Sequence, residues 1–191
     1  MSLSSISLRS AVFPRSTTAD KALLVAGGSV FIALLAQIAL PIPGSPVPVT
    51  GQTLGVLLIG TSYGASLGLT TILTYLLAGI LGAPIFASAG HGLSHVTGAT
   101  GGYLFGMVVA AFIIGKLAGR KWDQRLQTSL FTMLLGNVII FSFGLLWLHA
   151  FTDKSWAWTL ANGFTPFIIG EILKIAIAGT SLPLVWRYVQ K

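Results

Sequence analysis

Five apolar runs, at 22–40, 51–82, 100–115, 129–150 and 160–186, take up most of this chain and carry few charges. A hydrocarbon core about 30 Å thick accepts about 20 helical residues, so four of the runs suit one crossing each. The run 51–82 does not, because as one helix it would measure about 48 Å at about 1.5 Å per residue. Only 8% of the residues are charged and 54% are hydrophobic, against about a quarter charged in soluble domains. A chain of this composition has too little polar surface to face water all round. It reads as an all-α integral membrane protein.

Charge decides how often the run 51–82 crosses. Arg9, Arg15 and Lys21 precede the first run, Lys116, Arg120, Lys121 and Arg125 follow the third, and Arg187 and Lys191 follow the last. If these clusters all lie on the cytoplasmic side, the crossings between Lys21 and Lys116 are even in number. The run 51–82 then crosses twice, turning near "GTSYG" at 60–64. The reading is six transmembrane helices with both termini cytoplasmic. Residues 1–21 form a cytoplasmic leader, 22–186 a six-helix bundle, and 1–191 a single membrane domain. The outer segments are 41–50, 83–99 and 151–159. "PIPGSPVPVT" carries four prolines and favours a stiff, extended path. "APIFASAGHGLSHVTGA" is long, glycine-bearing and uncharged, which suits a lid. Ordered outer loops over a ligand cavity are therefore expected.

Several function classes fall away. The net charge of +7 comes from residues that flank apolar runs, with no basic stripe interleaved with aromatics, so no nucleic-acid partner is expected. No cysteine is present, which removes disulfides, thiol nucleophiles and thiolate metal sites. "GTSYG" fits the pattern of a nucleophile elbow but lacks its strand-to-helix setting. No nucleophile and base stand together, so no enzyme is expected. His91 and His95 would need a third metal ligand; they read better as polar loop residues touching a ligand. No phosphate-binding loop is present, so any energy comes from a partner or a gradient. Glycines at 51, 55, 60, 64 and 68, and at 98, 102 and 106, have the spacing that brings helices close.

Glu171 and Lys174 stand near the middle of the last apolar run, three residues apart and on one helix face. A charge at the bilayer centre costs about 2.5–3.5 kcal/mol on insertion scales and normally faces an interior. Three roles remain open: an ion pair that fixes packing, a proton relay, and a binding site for a small polar molecule. Phe86, Tyr103 and Tyr75 offer apolar walls for such a site. Thr50, Gln52 and His91 offer polar groups near the outer loops.

Three blocks in order carry a resemblance: "PIPGSPVPVTGQTLGVLLIG" at 41–60, "GAPIFASAGHG" at 82–92 followed by "TGATGGYLFG" at 97–106, and "PFIIGEILK" at 166–174. Over essentially its whole length the chain resembles the biotin-specific S components (BioY family) of energy-coupling factor (ECF) vitamin transporters. The resemblance implies a six-helix membrane fold that holds biotin near the outer side, beneath the loops. It implies a membrane scaffold (T component) and two cytoplasmic ATPase subunits as partners, which alone use ATP, with no cofactor in this chain. It implies a multi-pass protein of the plasma membrane. The family's last block usually reads Gly-Asp-x-x-Lys, so Glu171 stands at the acidic position and Lys174 at the basic one. Ala99 stands where the family has proline. Ala22, Ala26, Ser29 and Ala33 form one helical stripe. S components use a small-x-x-x-small face there for the scaffold, which points to Ala22 and Ala26. The competing readings are an S component for another vitamin, and a proton-coupled secondary transporter using Glu171.

Overall fold

The computed structural model describes residues 7–190. Its helices, in order, are α1 (Leu8–Val12), α2 (Thr18–Gln37), α3 (Gln52–Tyr63), α4 (Ala65–Ile80), α5 (Leu93–Thr97), α6 (Gly101–Ala118), α7 (Leu126–Thr152), α8 (Trp156–Gly163) and α9 (Ile168–Val189). Helices α2, α6 and α7 and the stretch Trp156–Val189 are long and apolar enough to cross a membrane. Large apolar side chains cover the outside of the bundle as well as its core, and some polar ones are buried. Leu23, Leu34, Leu77 and Ile169 are exposed, whereas Thr61, Thr71, Ser129 and Thr132 are buried at 0% exposure. Such a surface suits lipid rather than water.

The run 51–82 does divide into two helices. Gly64 joins α3 to α4 with φ +80°, a conformation glycine reaches without a Cβ penalty. Helix α3 packs tightly because glycines face its neighbours: a Cβ on Gly60 would lie 2.9 Å from Ala111 Cα on α6. Small faces let α3, α4 and α6 form the centre of the bundle.

The structure differs from the sequence reading in four places. Helix α2 begins at Thr18, inside the segment read as a leader, because Thr17 and Asp20 form a capping box. Upstream, α1 packs against α3 and α9, while residues 1–6 of that segment lie outside the described residues. The run 160–186 is not one helix. It is α8, a 3-10 turn at Thr165–Phe167 holding Pro166, and α9. The outer segment 151–159 is largely helical, being the end of α7 and the start of α8. The proline-rich loop is flanked by a two-stranded antiparallel ribbon, β1 (Ala39–Leu40) with β2 (Val49–Thr50), pairing Ala39 with Thr50. Prolines 41–48 occupy its loop and leave the pairing residues free to bond.

The lid-like segments are pinned. Ser45 Oγ donates to the Asn162 carbonyl at 2.7 Å, fastening the 41–50 loop to α8. Gln37, the last residue of α2, donates to the Ile85 and Phe86 carbonyls and accepts from Ala89 N–H at 3.0 Å. That clasp holds a turn in which Ser88 and Ala89 both have positive φ, a conformation that costs energy outside glycine.

Candidate functional site

Two helix N-termini meet at the site. Gln52 and Thr53 lie in the first turn of α3, and Glu171 in the first turn of α9, where the helix dipole favours a carboxylate. Glu171 is 7% exposed and Thr53 6%. Lys174 Nζ lies 2.6 Å from Glu171 Oε1. It also donates to Thr53 Oγ1 at 3.1 Å and to the Thr50 carbonyl. Thr53 Oγ1 in turn donates to both Glu171 oxygens at 3.0 Å. An ammonium has three N–H donors, and here all three meet oxygens of this chain. Among the described residues, Glu171 Oε2 receives only the shared Thr53 hydroxyl, so it keeps acceptor capacity.

Over this network sits a narrow cavity of about 40 Å3 lined by Val47, Pro48, Thr50, Gln52, Thr53, Ala87, His95, Thr100, Tyr103, Leu104, Met107, Phe141, Phe167 and Glu171. That is room for a few waters and well below the ~300 Å3 of a small-molecule pocket. Its roof is the two loops, Val47–Pro48 from one and Ala87 and His95 from the other. Tyr103 forms a wall: its ring stands edge-on to Phe141 and stacks on Phe167, and its hydroxyl donates to the Gly163 carbonyl at 2.8 Å. A second cavity of about 220 Å3 opens between α7 and α9 and shares Phe141, Phe167 and Glu171 with the first. Asn137 is 5% exposed and lines this second cavity; neither atom of its amide bonds another described residue.

Of the residues singled out by sequence, the structure brings Glu171, Lys174, Thr50, Gln52 and Tyr103 together. Phe86 and Tyr75 are fully buried behind the wall. Tyr75 acts through a neighbour: it receives the Gln52 amide at 2.8 Å and donates to the Ile85 carbonyl at 3.0 Å. Phe86 stands edge-on to Tyr75 and stacks on His95 at 4.9 Å. His91 is exposed on its loop and does not line the cavity; His95 does. Burial, with His91 nearby, holds the His95 imidazole below its usual range, so it faces the cavity neutral at pH 7. Ala22 and Ala26 lie exposed on α2, remote from the cavity, while Ser29 is buried and donates to the Thr71 carbonyl. Sequence reasoning missed Thr53, Phe141 and Phe167; it named His95 together with His91 as a loop residue touching a ligand, and of the two only His95 lines the cavity.

A bundle of apolar-faced helices with a mostly apolar pocket, holding a buried carboxylate under two loops, is the architecture of a membrane-embedded solute-binding subunit. The fold matches the crystal structure of the S-component for biotin from an ECF-type ABC transporter, with a TM-score of 0.79 and 22% identity over 92% of this chain and 95% of that one. The BioY family model matches residues 9–191. Relatives include the biotin transporter BioY2 of Lactococcus lactis, 35% identical over 83% of this chain and 87% of its own length. Another, the probable biotin transporter BioY of Pyrococcus horikoshii, is 37% identical over 78% of this chain and 88% of its own. The chain belongs to the BioY family.

Proposed function

We propose that this chain binds biotin and carries it into the cell as the substrate-binding subunit of an ECF-type transporter, and that it is not an enzyme. The observation that carries the reading is the Glu171–Lys174–Thr53 network buried beneath two loops in a member of the BioY family. Biotin offers two ureido N–H groups, a ureido carbonyl and a carboxylate. Glu171 Oε2, with acceptor capacity to spare, takes a ureido N–H. The ureido oxygen displaces the Thr50 carbonyl or Thr53 hydroxyl from Lys174. Tyr103, Phe141 and Phe167 flank the bicyclic ring. The valerate carboxylate points to the loop side, toward Thr50, Gln52, His95 and backbone N–H groups.

The cavity's small volume means that the roof moves for biotin to enter. Six spans, with both termini cytoplasmic in the plasma membrane, fit the basic clusters. The scaffold (T component) docks on the exposed Ala22 and Ala26, where small side chains admit a partner helix, and two cytoplasmic ATPases complete the transporter. The bilayer is the chain's own solvent, and ATP is used by the partners alone.

Titration calorimetry of the purified protein in chelator, against biotin and a panel of other vitamins, tests this. Heat with micromolar biotin alone is expected; heat only with another vitamin overturns the assignment. Comparing biotin with its uncharged amide, on wild type and Lys174→Met, tests the orientation. Both ligands should weaken together in the variant. Loss of the preference for biotin would place Lys174 at the carboxylate instead. For topology, a cysteine at Gln190 should resist an impermeant thiol reagent in intact cells, and one at Ser155 should react.

A further inference from the structure

The end of the bundle away from Glu171 holds a cavity that the biotin reading does not use. It measures about 730 Å3 and is lined by Arg9, Lys21, Lys116 and Arg120, with Ser7, Ser10, the Gly64 turn and Ala65–Ser66. Twelve residues of α3, about 18 Å of helix, separate it from the site. No carboxylate lines it. Among the described residues, none of the four basic side chains is ion-paired. Lys116 Nζ rests over the Phe112 ring at 4.3 Å. Arg9 donates from Nη1 to Ser16 Oγ at 2.9 Å, while its Nε is buried without a partner.

The floor adds to the field. Helix α4 follows Gly64 with no side chain capping it, and an uncapped helix N-terminus favours an anion. Cations left unpaired in a concave site, with a helix N-terminus at its base, suit a phosphate. The neighbouring surface indicates where that phosphate comes from. Leu23, two residues beyond Lys21, is 74% exposed, and Phe112, one turn before Lys116, is 37% exposed. The cavity therefore borders exposed apolar side chains, and Lys116 lies in the last turn of the span-length helix α6. Basic pockets between membrane helices have this geometry where they hold anionic headgroups.

We propose that this cavity is a binding site for the phosphate of an anionic phospholipid, held by Arg9, Lys21, Lys116 and Arg120 over the α4 N-terminus. The site is independent of the biotin reading. The acyl chains lie along the exposed apolar faces, and the phosphate lies in the cavity.

Native mass spectrometry of the purified full-length protein, with phosphatidylglycerol or phosphatidylcholine added, tests the proposal. Phosphatidylglycerol adducts should survive activation that strips phosphatidylcholine. Arg120→Gln alone should weaken the adduct about fivefold, and Arg120→Gln with Lys116→Gln about twenty-five-fold. Lys154→Gln, on the loop beyond α7, should change nothing. Helical circular dichroism and a melting curve for each variant separate lost binding from lost folding. Equal retention of the two lipids, or a folded double variant that keeps phosphatidylglycerol as wild type does, overturns the site. Displacement of the lipid by millimolar inorganic phosphate overturns the lipid as its occupant.

Discussion

Two buried carboxylates stand at opposite ends of α9 and are solved in opposite ways. Glu171 is 7% exposed and has a lysine 2.6 Å away, a threonine hydroxyl and a helix N-terminus. Asp123 is 0% exposed, and among the described residues its side-chain partner is the indole of Trp186 at 2.6 Å, while its other oxygen bonds no other residue. Burial pushes the Asp123 carboxyl up to about 6, against the lowering effect of the Trp186 and backbone hydrogen bonds. The difference teaches what each end is for. An acid that only has to hold two helix ends together can sit alone and take up a proton. In the function proposed above, an acid supplied with a cation, a hydroxyl and a cavity reads the ligand.

The largest test of that contrast is Lys174→Met. It leaves Glu171 buried and unpaired, a loss of about 3–5 kcal/mol, and should lower the melting temperature sharply. Lys174→Met combined with Glu171→Gln should recover part of the loss, since it removes both charges; strict additivity would show that the two do not interact.

The next concerns Asp123 and pH. Its folded value of about 6 lies above its ordinary 3.8. A raised acid contributes stability that is full below the unfolded value and is lost as pH rises through the folded one. Wild type should thus gain up to about 3 kcal/mol from this group as pH falls from above 6 to below 3.8, at about 1.36 kcal/mol per unit. Asp123→Asn keeps an acceptor for Trp186 and should flatten that dependence, as melting curves at several pH values would show.

Thr53→Val removes a hydroxyl that touches both charges at nearly constant shape. A loss of about 1.5–3 kcal/mol is expected in denaturant melts. The smallest effect belongs to Tyr103→Phe. It frees the Gly163 carbonyl and should cost about 0.5–1.5 kcal/mol, leaving the ring stack with Phe167 and the wall intact.

The same contrast marks what the sequence could reveal. Glu171 and Lys174 were legible because charge is rare in an apolar run, and the division at Gly64 because the basic clusters demanded an even number of crossings. Asp123 lies among lysines and arginines in a loop, where an acid attracts no notice; only the folded chain brings Trp186 to it. Thr53 is one of many threonines, and its role depends on α3 and α9 meeting. The sequence offered no way to choose between His91 and His95; in the fold His95, on α5, lines the cavity, whereas His91, ahead of α5, is exposed. The break before α9 left one signal, Pro166, which the apolar run concealed. Local pattern carried the charges and the turn, whereas pairings across 118 positions, such as Thr53 with Glu171, are properties of the fold.

One measurement bears most directly on the claim that Glu171, and not merely any buried acid, reads the ligand. Biotin binding by calorimetry should be compared among wild type, Glu171→Gln and Asp123→Asn at pH 7. Removing one partner of a charged, buried hydrogen bond costs about 2–5 kcal/mol, so Glu171→Gln should weaken binding at least thirtyfold. Asp123→Asn, at the far end of α9, should bind as wild type does. Wild-type affinity in a folded Glu171→Gln protein would contradict the account.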